Sequence, residues 1–132
     1  MAKSDTFQVS VITPERAVLE TQATFVAFPA HDGEVGILRD RAPFLFKLGA
    51  GKLRVESPEG DKALFIDGGF AQMVDNRLTF LTEQAKQISD LDRGAAERAL
   101  AEAKAMRITD DATFKARERA VRSAQQQLKL AS

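Results

Sequence analysis

Cysteine is absent from this 132-residue sequence, which excludes disulfide bonds and thiolate metal sites and is typical of a reducing compartment. Histidine occurs once, so a metal site would have to be built from carboxylates. Neither sign of charge dominates, because 19 basic and 19 acidic residues give a formal net charge of zero. No overall field therefore favours binding to nucleic acid or to an anionic membrane.

Long apolar runs are also missing, since no stretch approaches the roughly 20 residues that span a bilayer. The amino terminus, MAKSDTF, is neither an apolar signal nor an Arg-rich transit peptide. The length suits one ordinary domain, or one small domain with an appendage. We therefore expect a soluble, intracellular chain.

The chain from Phe7 to about Leu81 has the pattern of short strands. Phe7, Val9 and Val11 alternate with polar residues, as in a half-buried strand. The same rhythm recurs at Ala23-Phe25-Ala27, Leu53-Val55 and Phe70-Gln72-Val74, the last with a polar residue in the alternating set. Turn-forming runs separate these segments: Thr13-Pro14, Asp32-Gly33, Ser57-Pro58-Glu59-Gly60, Gly68-Gly69 and Asp75-Asn76. This spacing predicts an all-β sandwich or barrel.

The composition changes after about Gln87 and favours helix. Residues 88–132 contain no proline and one glycine, Gly94, and they are rich in Ala, Glu, Lys, Arg and Gln. Ser89, Asp90 and Asp92 can cap a first helix, and Thr109 or Asp110 can cap a second one after the break at 108–111. The sequence therefore predicts a β domain over residues 1–87 and a helical hairpin over residues 88–132.

Alanines at every fourth position predict how this hairpin packs. One row is Ala95, Ala99 and Ala103, and the other is Ala112, Ala116, Ala120 and Ala124. Small side chains let two antiparallel helices approach closely. Each buried methyl group contributes only about 0.8 kcal/mol, against roughly 1.5–3 kcal/mol for a buried leucine. We therefore expect a weakly held hairpin.

Glycines around Lys52 raise the question of a phosphate-binding loop. Lys52 follows Gly49-Ala50-Gly51, but Phe46 stands where the first glycine of a P-loop belongs and Leu53 replaces its hydroxyl residue. These glycines are instead expected to form a tight turn between two strands.

Catalytic and metal-binding chemistry is equally poorly supported. His31-Asp32 could pair a base with an orienting acid, but no serine stands nearby in the context of a nucleophile elbow. Asp32 and Glu34 could ligate a hard cation, yet no further spaced carboxylates complete a calcium loop. The sequence predicts no catalytic residue, no metal and no cofactor.

The last predicted helix carries an excess of basic residues. From 111 to 132 the bases are Lys115, Arg117, Arg119, Arg122 and Lys129, against Asp111 and Glu118, so the balance is 5 − 2 = +3. This face is either simply solvated or a docking surface for an acidic partner or nucleic acid. Phe114 is its one aromatic residue, which disfavours stacking on single-stranded nucleic acid.

Two blocks of this sequence carry recognisable motifs. The first block consists of Gly33-Glu34-Val35-Gly36-Ile37-Leu38, then Arg41-Ala42-Pro43-Phe44-Leu45, then residues 51–55, and the second block consists of residues 68–81. Together with residues 11–16, they resemble the epsilon subunit of bacterial F-type ATP synthases. The first block is similar to the family segment G-E-x-G-I-x-P-G-H-A-P-L and its following G-x-[LI]-x-[IV], the second block is similar to G-G-F-x-E-V-x-x-N-x-V-T-V-L, and residues 11–16 resemble the family's first strand and turn. With the hairpin, the resemblance covers about the whole chain.

The resemblance implies an amino-terminal sandwich of two sheets and a carboxy-terminal hairpin of two antiparallel helices. It implies a non-catalytic rotor subunit whose sandwich binds the central-stalk gamma subunit and the ring of c subunits, coupling proton flow to ATP synthesis. In many relatives the helical part extends toward the catalytic alpha/beta hexamer and restrains ATP hydrolysis. The implied location is peripheral, on the cytoplasmic face of the bacterial plasma (inner) membrane, with membrane contact only through the complex and no nucleic acid partner.

The resemblance also implies interface residues. Glu34, Arg39 and Arg41 are expected to face the c-ring, although Arg39-Asp40-Arg41 replaces the family's Pro-Gly-His and changes the local charge. Arg117, Arg119 and Arg122 are expected to dock on an acidic loop of the catalytic subunit.

A nucleotide-binding motif of some relatives, [IL]-D-x-x-R-A, is degenerate here. Leu91, Asp92 and Ala96 match it, but Ala95 occupies the place of the arginine. We therefore expect only weak ATP binding.

An alternative function is a free-standing β-sandwich adaptor whose basic hairpin binds an acidic protein or nucleic acid. Co-purification with gamma would distinguish a synthase subunit from such an adaptor.

Overall fold

The computed structural model describes residues 5–131. Within this range the structure contains ten strands, a short 3-10 turn and two helices: β1 (Phe7–Ile12), β2 (Ala17–Ala23), β3 (Phe25–Ala30), β4 (Gly33–Ile37), β5 (Phe44–Lys47), β6 (Ala50–Glu56), β7 (Lys62–Asp67), β8 (Phe70–Val74), β9 (Arg77–Leu81), β10 (Gln84–Gln87), the 3-10 turn (Ile88–Asp90), α1 (Arg93–Lys104) and α2 (Asp111–Leu130). The chain divides into two compact units after Lys86.

The strands of the described range form two five-stranded sheets. The first sheet has the order β2-β1-β9-β8-β5, and the second has the order β10-β7-β6-β3-β4. Neighbours in the first sheet are antiparallel except for β1 and β9, which run parallel. In the second sheet, β3 pairs antiparallel with both β4 and β6, and β6 pairs antiparallel with β7.

The core lies between the sheets and joins them through aromatic rings. Phe28 of the second sheet packs edge-on against Phe80 of the first, with ring centroids 5.3 Å apart, and against Phe46 at 5.9 Å. Edge-to-face pairs add about 0.5–1.5 kcal/mol beyond the burial of their area. Phe7, Val9 and Val11 are buried, as their alternation predicts. The expected fold class, a β-sandwich followed by a helical hairpin, is confirmed.

Two details of the strand prediction are wrong. The residues from Ala23 to Ala27 do not form one strand, because a bend at Thr24 separates β2 from β3. In β8 the buried and exposed positions are exchanged relative to the prediction. Ala71 and Met73 are buried in the core, whereas Phe70, Gln72 and Val74 face outward.

Both helices are capped by an aspartate that is one of the candidates in the sequence. The Asp92 side chain accepts a hydrogen bond from the backbone N–H of Gly94 at 3.1 Å. Asp110 forms a capping box with Thr113, whose backbone N–H donates to Asp110 Oδ1 at 2.8 Å. This bond to the backbone of Thr113, together with one to its side chain, lowers the pKa of Asp110 below its usual value.

The alanine rows are only partly buried. In α1, Ala96 and Ala103 are buried while Ala95 is exposed. An i, i+4 row drifts about 40° per step around a helix, whereas seven residues return to within about 20° of the starting direction. In α2, Ala124 is buried and Ala112 is exposed, with intermediate burial at Ala116 and Ala120 between them.

No helix in residues 5–131 is long and apolar enough to cross a membrane.

Candidate interaction surfaces

Glu34 lies in strand β4 and not in the turn that precedes it. The turn is formed by His31 and Asp32, and Glu34 stands opposite Pro29 in the β3–β4 ladder. Its side chain is exposed, so a charge is presented at the edge strand of the second sheet.

The two arginines expected beside Glu34 differ in what they contact. Arg39 is paired with acids on both sides: its Nε lies 3.1 Å from Asp40 Oδ2, and its Nη1 lies 3.8 Å from Asp5 Oδ1. Its side chain is only 27% exposed. Arg41 is exposed and has no acidic partner within 4 Å among residues 5–131. Arg41 is therefore the arginine available to a partner.

The loop that carries these arginines is fastened to the β8–β9 turn. The Asp40 N–H donates to Asn76 Oδ1 at 2.8 Å, and Asn76 Nδ2 donates to Asp40 Oδ1 at 3.0 Å. Asp40, Asp75 and Asn76 all have positive φ, which Asn and Asp tolerate better than most residues. The pair fixes the loop beside the first sheet.

An apolar surface covers part of the outer face of the first sheet. Leu45 is 67% exposed, Leu81 50% and Phe70 48%, and Val74 is also exposed. Phe70 pairs directly with Leu81, and Leu45 stands opposite Gln72, the residue between Phe70 and Val74 on this face. We call Leu45, Phe70, Val74 and Leu81 the outer apolar patch.

Sequence reasoning did not identify this patch. A signal is present in β8, where Phe70 and Val74 flank Gln72 on one face and Ala71 and Met73 occupy the other, so that both faces of one strand carry apolar residues. A strand of that kind in an otherwise half-buried sheet indicates a second buried surface, and contiguous exposed apolar area usually marks an interaction site.

The basic residues of α2 do not all share one face. Lys115, Arg119, Arg122 and Lys129 are spaced i, i+4, i+7 and i+14, which places them in one row about 21 Å long. All four are exposed, and none pairs with an acid within residues 5–131. We call them the basic stripe. Arg117 lies outside it and donates hydrogen bonds to the backbone carbonyl of Lys104.

The degenerate nucleotide segment is occupied by helix-start contacts. Asp92 caps α1 and lies 4.0 Å from Arg98 Nη2. Leu91 is half-buried, Ala95 is exposed and Ala96 is buried. The segment therefore offers a partner one aspartate that already accepts a backbone hydrogen bond, and no cation at position 95.

The remaining candidates for chemistry do not come together. His31 and Asp32 are both exposed, and no three potential ligands among residues 5–131 cluster closely enough to hold a metal ion. Lys52 lies within β6, an ordinary strand of the second sheet.

The expected glycine turn before Lys52 is wrong, because β6 already begins at Ala50 and Gly51 is buried inside it. Gly49 lies close to the neighbouring backbone, since a Cβ there would be 3.3 Å from the carbonyl oxygen of Ala30 and would require a shift of a few tenths of an ångström.

Residues 6–88 match the family described as "ATP synthase, Delta/Epsilon chain, beta-sandwich domain". The ATP synthase epsilon chain of Rhodopirellula baltica is 42% identical over 90% of this chain and 93% of its own length. Among solved structures, a chain of the Euglena gracilis mitochondrial ATP synthase superposes with a TM-score of 0.79 at 22% identity, covering 95% of this chain and 81% of its own. A chain from the Tetrahymena thermophila mitochondrial ATP synthase central stalk and c-ring gives 0.71 at 14% identity, with both chains fully covered. The likeness to these two structures is one of fold. The family match and the identity to the curated epsilon chain show that this chain belongs to the epsilon chains of ATP synthase.

Proposed function

We propose that this chain is a non-catalytic rotor subunit that couples proton flow through the c-ring to ATP synthesis, and that its helical hairpin restrains ATP hydrolysis. The observation that carries the proposal is the outer apolar patch. A chain of this family that exposes four large apolar side chains on one sheet face is built to be covered by another subunit.

The gamma subunit is the proposed occupant of the patch. A rotor component must hold its stalk partner permanently, and permanent interfaces have apolar centres. Complete burial of an exposed Leu, Phe or Val side chain contributes roughly 1.5–3 kcal/mol, so covering these half-exposed side chains contributes about 1 kcal/mol each before the costs of association. The Tetrahymena neighbour, which shares this fold, belongs to a central stalk and c-ring assembly.

The c-ring is the proposed partner of the charged edge at Glu34 and Arg41. Both side chains are exposed: Glu34 lies in β4, the edge strand of the second sheet, and Arg41 lies in the loop that leads from β4 to β5. Arg39 has a different role in this scheme. Its ion pairs with Asp5 and Asp40 help to shape the loop that presents Arg41.

The basic stripe is the proposed contact with the catalytic alpha/beta hexamer. Four exposed cations in a row about 21 Å long fit an acidic surface segment. Exposed ion pairs are worth only about 0–1 kcal/mol each and weaken with salt, so this contact is reversible. The proposed location is peripheral, on the cytoplasmic face of the bacterial plasma membrane, with membrane contact only through the complex.

Affinity purification of the tagged chain from detergent-solubilised membranes tests this function. We expect gamma, the c subunits and the catalytic hexamer to be retained in stoichiometric amounts through a high-salt wash, because the gamma interface is apolar. Recovery of an acidic protein or nucleic acid without gamma would favour the adaptor function instead.

A further inference from the structure

Arg117 stands apart from the other arginines of α2. Its guanidinium donates two hydrogen bonds to the Lys104 carbonyl oxygen, from Nη2 at 3.1 Å and from Nε at 3.4 Å. Its side chain is half-buried, whereas those of Arg119 and Arg122 are exposed. The contact joins the second turn of α2 to the last residue of α1.

The Lys104 carbonyl is one of the groups that a helix leaves without an intrahelical partner at its carboxyl end. The carbonyls of Ala101 and Ala103 receive the N–H groups of Ala105 and Met106, at 3.1 and 3.2 Å. The next carbonyl, that of Lys104, receives the guanidinium of Arg117 instead. A cation at this position also complements the negative end of the helix dipole.

We infer that Arg117 is a positioning residue that clamps the hairpin closed and is not a member of the docking surface. The two fully buried residues of α1, Ala96 and Ala103, are alanines that contribute little apolar burial, so a charge-assisted bond between the helices adds to a weak apolar contact between α1 and α2. The inference concerns the hairpin itself. Only its consequence for hydrolysis rests on the proposed function.

Amide hydrogen exchange on the full-length chain tests the clamp. Exchange reports local opening of each element separately. We expect Arg117→Ala to speed exchange of the α1 amides of residues 99–104 about tenfold, while β1 amides, as an internal reference, keep their rates. Arg119→Ala is the matched control on the same helix and should leave α1 unchanged. Equal α1 rates in the two variants would overturn the inference.

The Arg117→Lys variant tests whether the contact depends on the two donors of the planar guanidinium or on the positive charge alone. Lysine keeps the positive charge near the end of α1 but cannot place two donors from one plane on the carbonyl. We expect an α1 exchange rate between those of the wild type and Arg117→Ala. A rate equal to that of the wild type would show that charge alone suffices and would overturn the clamp geometry.

ATP hydrolysis by the assembled synthase supplies a second readout. If Arg117 is a clamp, Arg117→Ala leaves inhibition at least as strong as in the wild type, while removing Arg119 and Arg122 weakens it. Weakened inhibition by Arg117→Ala would place this residue in the docking surface and contradict the inference. If neither the wild type nor any variant inhibits ATP hydrolysis, the proposed docking on the catalytic hexamer is wrong. The amide exchange rates of α1 then still decide whether Arg117 is a clamp.

Discussion

Asp40 and Asn76 hydrogen-bond to each other in both directions, at 2.8 and 3.0 Å, although 36 residues separate them. The backbone carbonyl of Asn76 also accepts a hydrogen bond from the N–H of Gln8 at 2.9 Å. One residue of a tight turn therefore holds the arginine loop and the start of β1 in place.

Replacing Asn76 by alanine should destabilise the protein by about 2 kcal/mol. About half of this is the loss of the two side-chain hydrogen bonds, and the rest is the cost of an alanine at φ 59°. Asn76→Gly is the matched control, because glycine adopts positive φ freely and should lose only about 1 kcal/mol. Urea unfolding midpoints measure both, and equal losses would show that the backbone angle costs nothing here.

Gly69→Ala should prevent folding or cost more than about 4 kcal/mol. A Cβ at this position would lie 1.8 Å from the Leu81 carbonyl oxygen, and φ is already +93°. Gly60→Ala is the control, since it has φ +123° with nothing within 4 Å of the added carbon. Thermal unfolding followed by circular dichroism should show a far smaller loss for Gly60→Ala, and similar losses would contradict the clash.

Leu45→Glu should weaken binding of purified gamma subunit about tenfold to a hundredfold, because it places a charge in the outer apolar patch. Leu45 is 67% exposed, so the free variant should stay within about 0.5 kcal/mol of wild-type stability. Ile108→Glu, at 51% exposure in the α1–α2 connection, is the matched control. Calorimetric titration that gives equal gamma affinities for both variants would remove the patch from the gamma interface.

Arg119→Ala combined with Arg122→Ala should relieve inhibition of ATP hydrolysis in the assembled synthase, most visibly at low salt, where exposed charges are least screened. The control removes the same charge from the other helix, through Arg93→Ala and Arg98→Ala. Steady-state hydrolysis over a salt series is the measurement. An identical effect of both pairs would mean that net charge, and not the basic stripe, sets inhibition.

ATP should bind the isolated chain only at millimolar concentration or weaker, because Ala95 provides no cation for the phosphates. Loss of one charge-assisted phosphate contact removes about 1.5–3 kcal/mol. Ala95 is exposed, so Ala95→Arg can be accommodated and should raise ATP affinity about tenfold to a hundredfold. Amide NMR titrations that show micromolar ATP binding to the wild type, with shifts at residues 92–98, would refute this prediction.

Local chemistry made much of this fold predictable from sequence. The sequence places Asp92 and Asp110 among its candidate caps because the bonds they make lie within three residues along the chain. Alternation likewise predicted β1. The pattern predicts the wrong buried face for β8, because an exposed apolar face that carries Phe70 and Val74 cannot be distinguished from a buried one in the sequence.

The sequence pattern does not predict contacts between residues that are far apart along the chain. The sequence pattern groups Arg117 with its neighbours by charge, and only the folded hairpin shows its hydrogen bonds to the Lys104 carbonyl. The pair formed by Asp40 and Asn76 depends on two loops that no local signal connects.

The parallel pairing of β1 with β9 has a consequence for synthesis of the chain. Gln8 stands in register with Arg77, so β1 acquires this neighbour only after 69 more residues have been added to the growing chain. Until then one edge of β1 is unpaired and available to other nascent chains. Such distant pairing also predicts refolding in milliseconds to seconds, the slow end for a domain of this size.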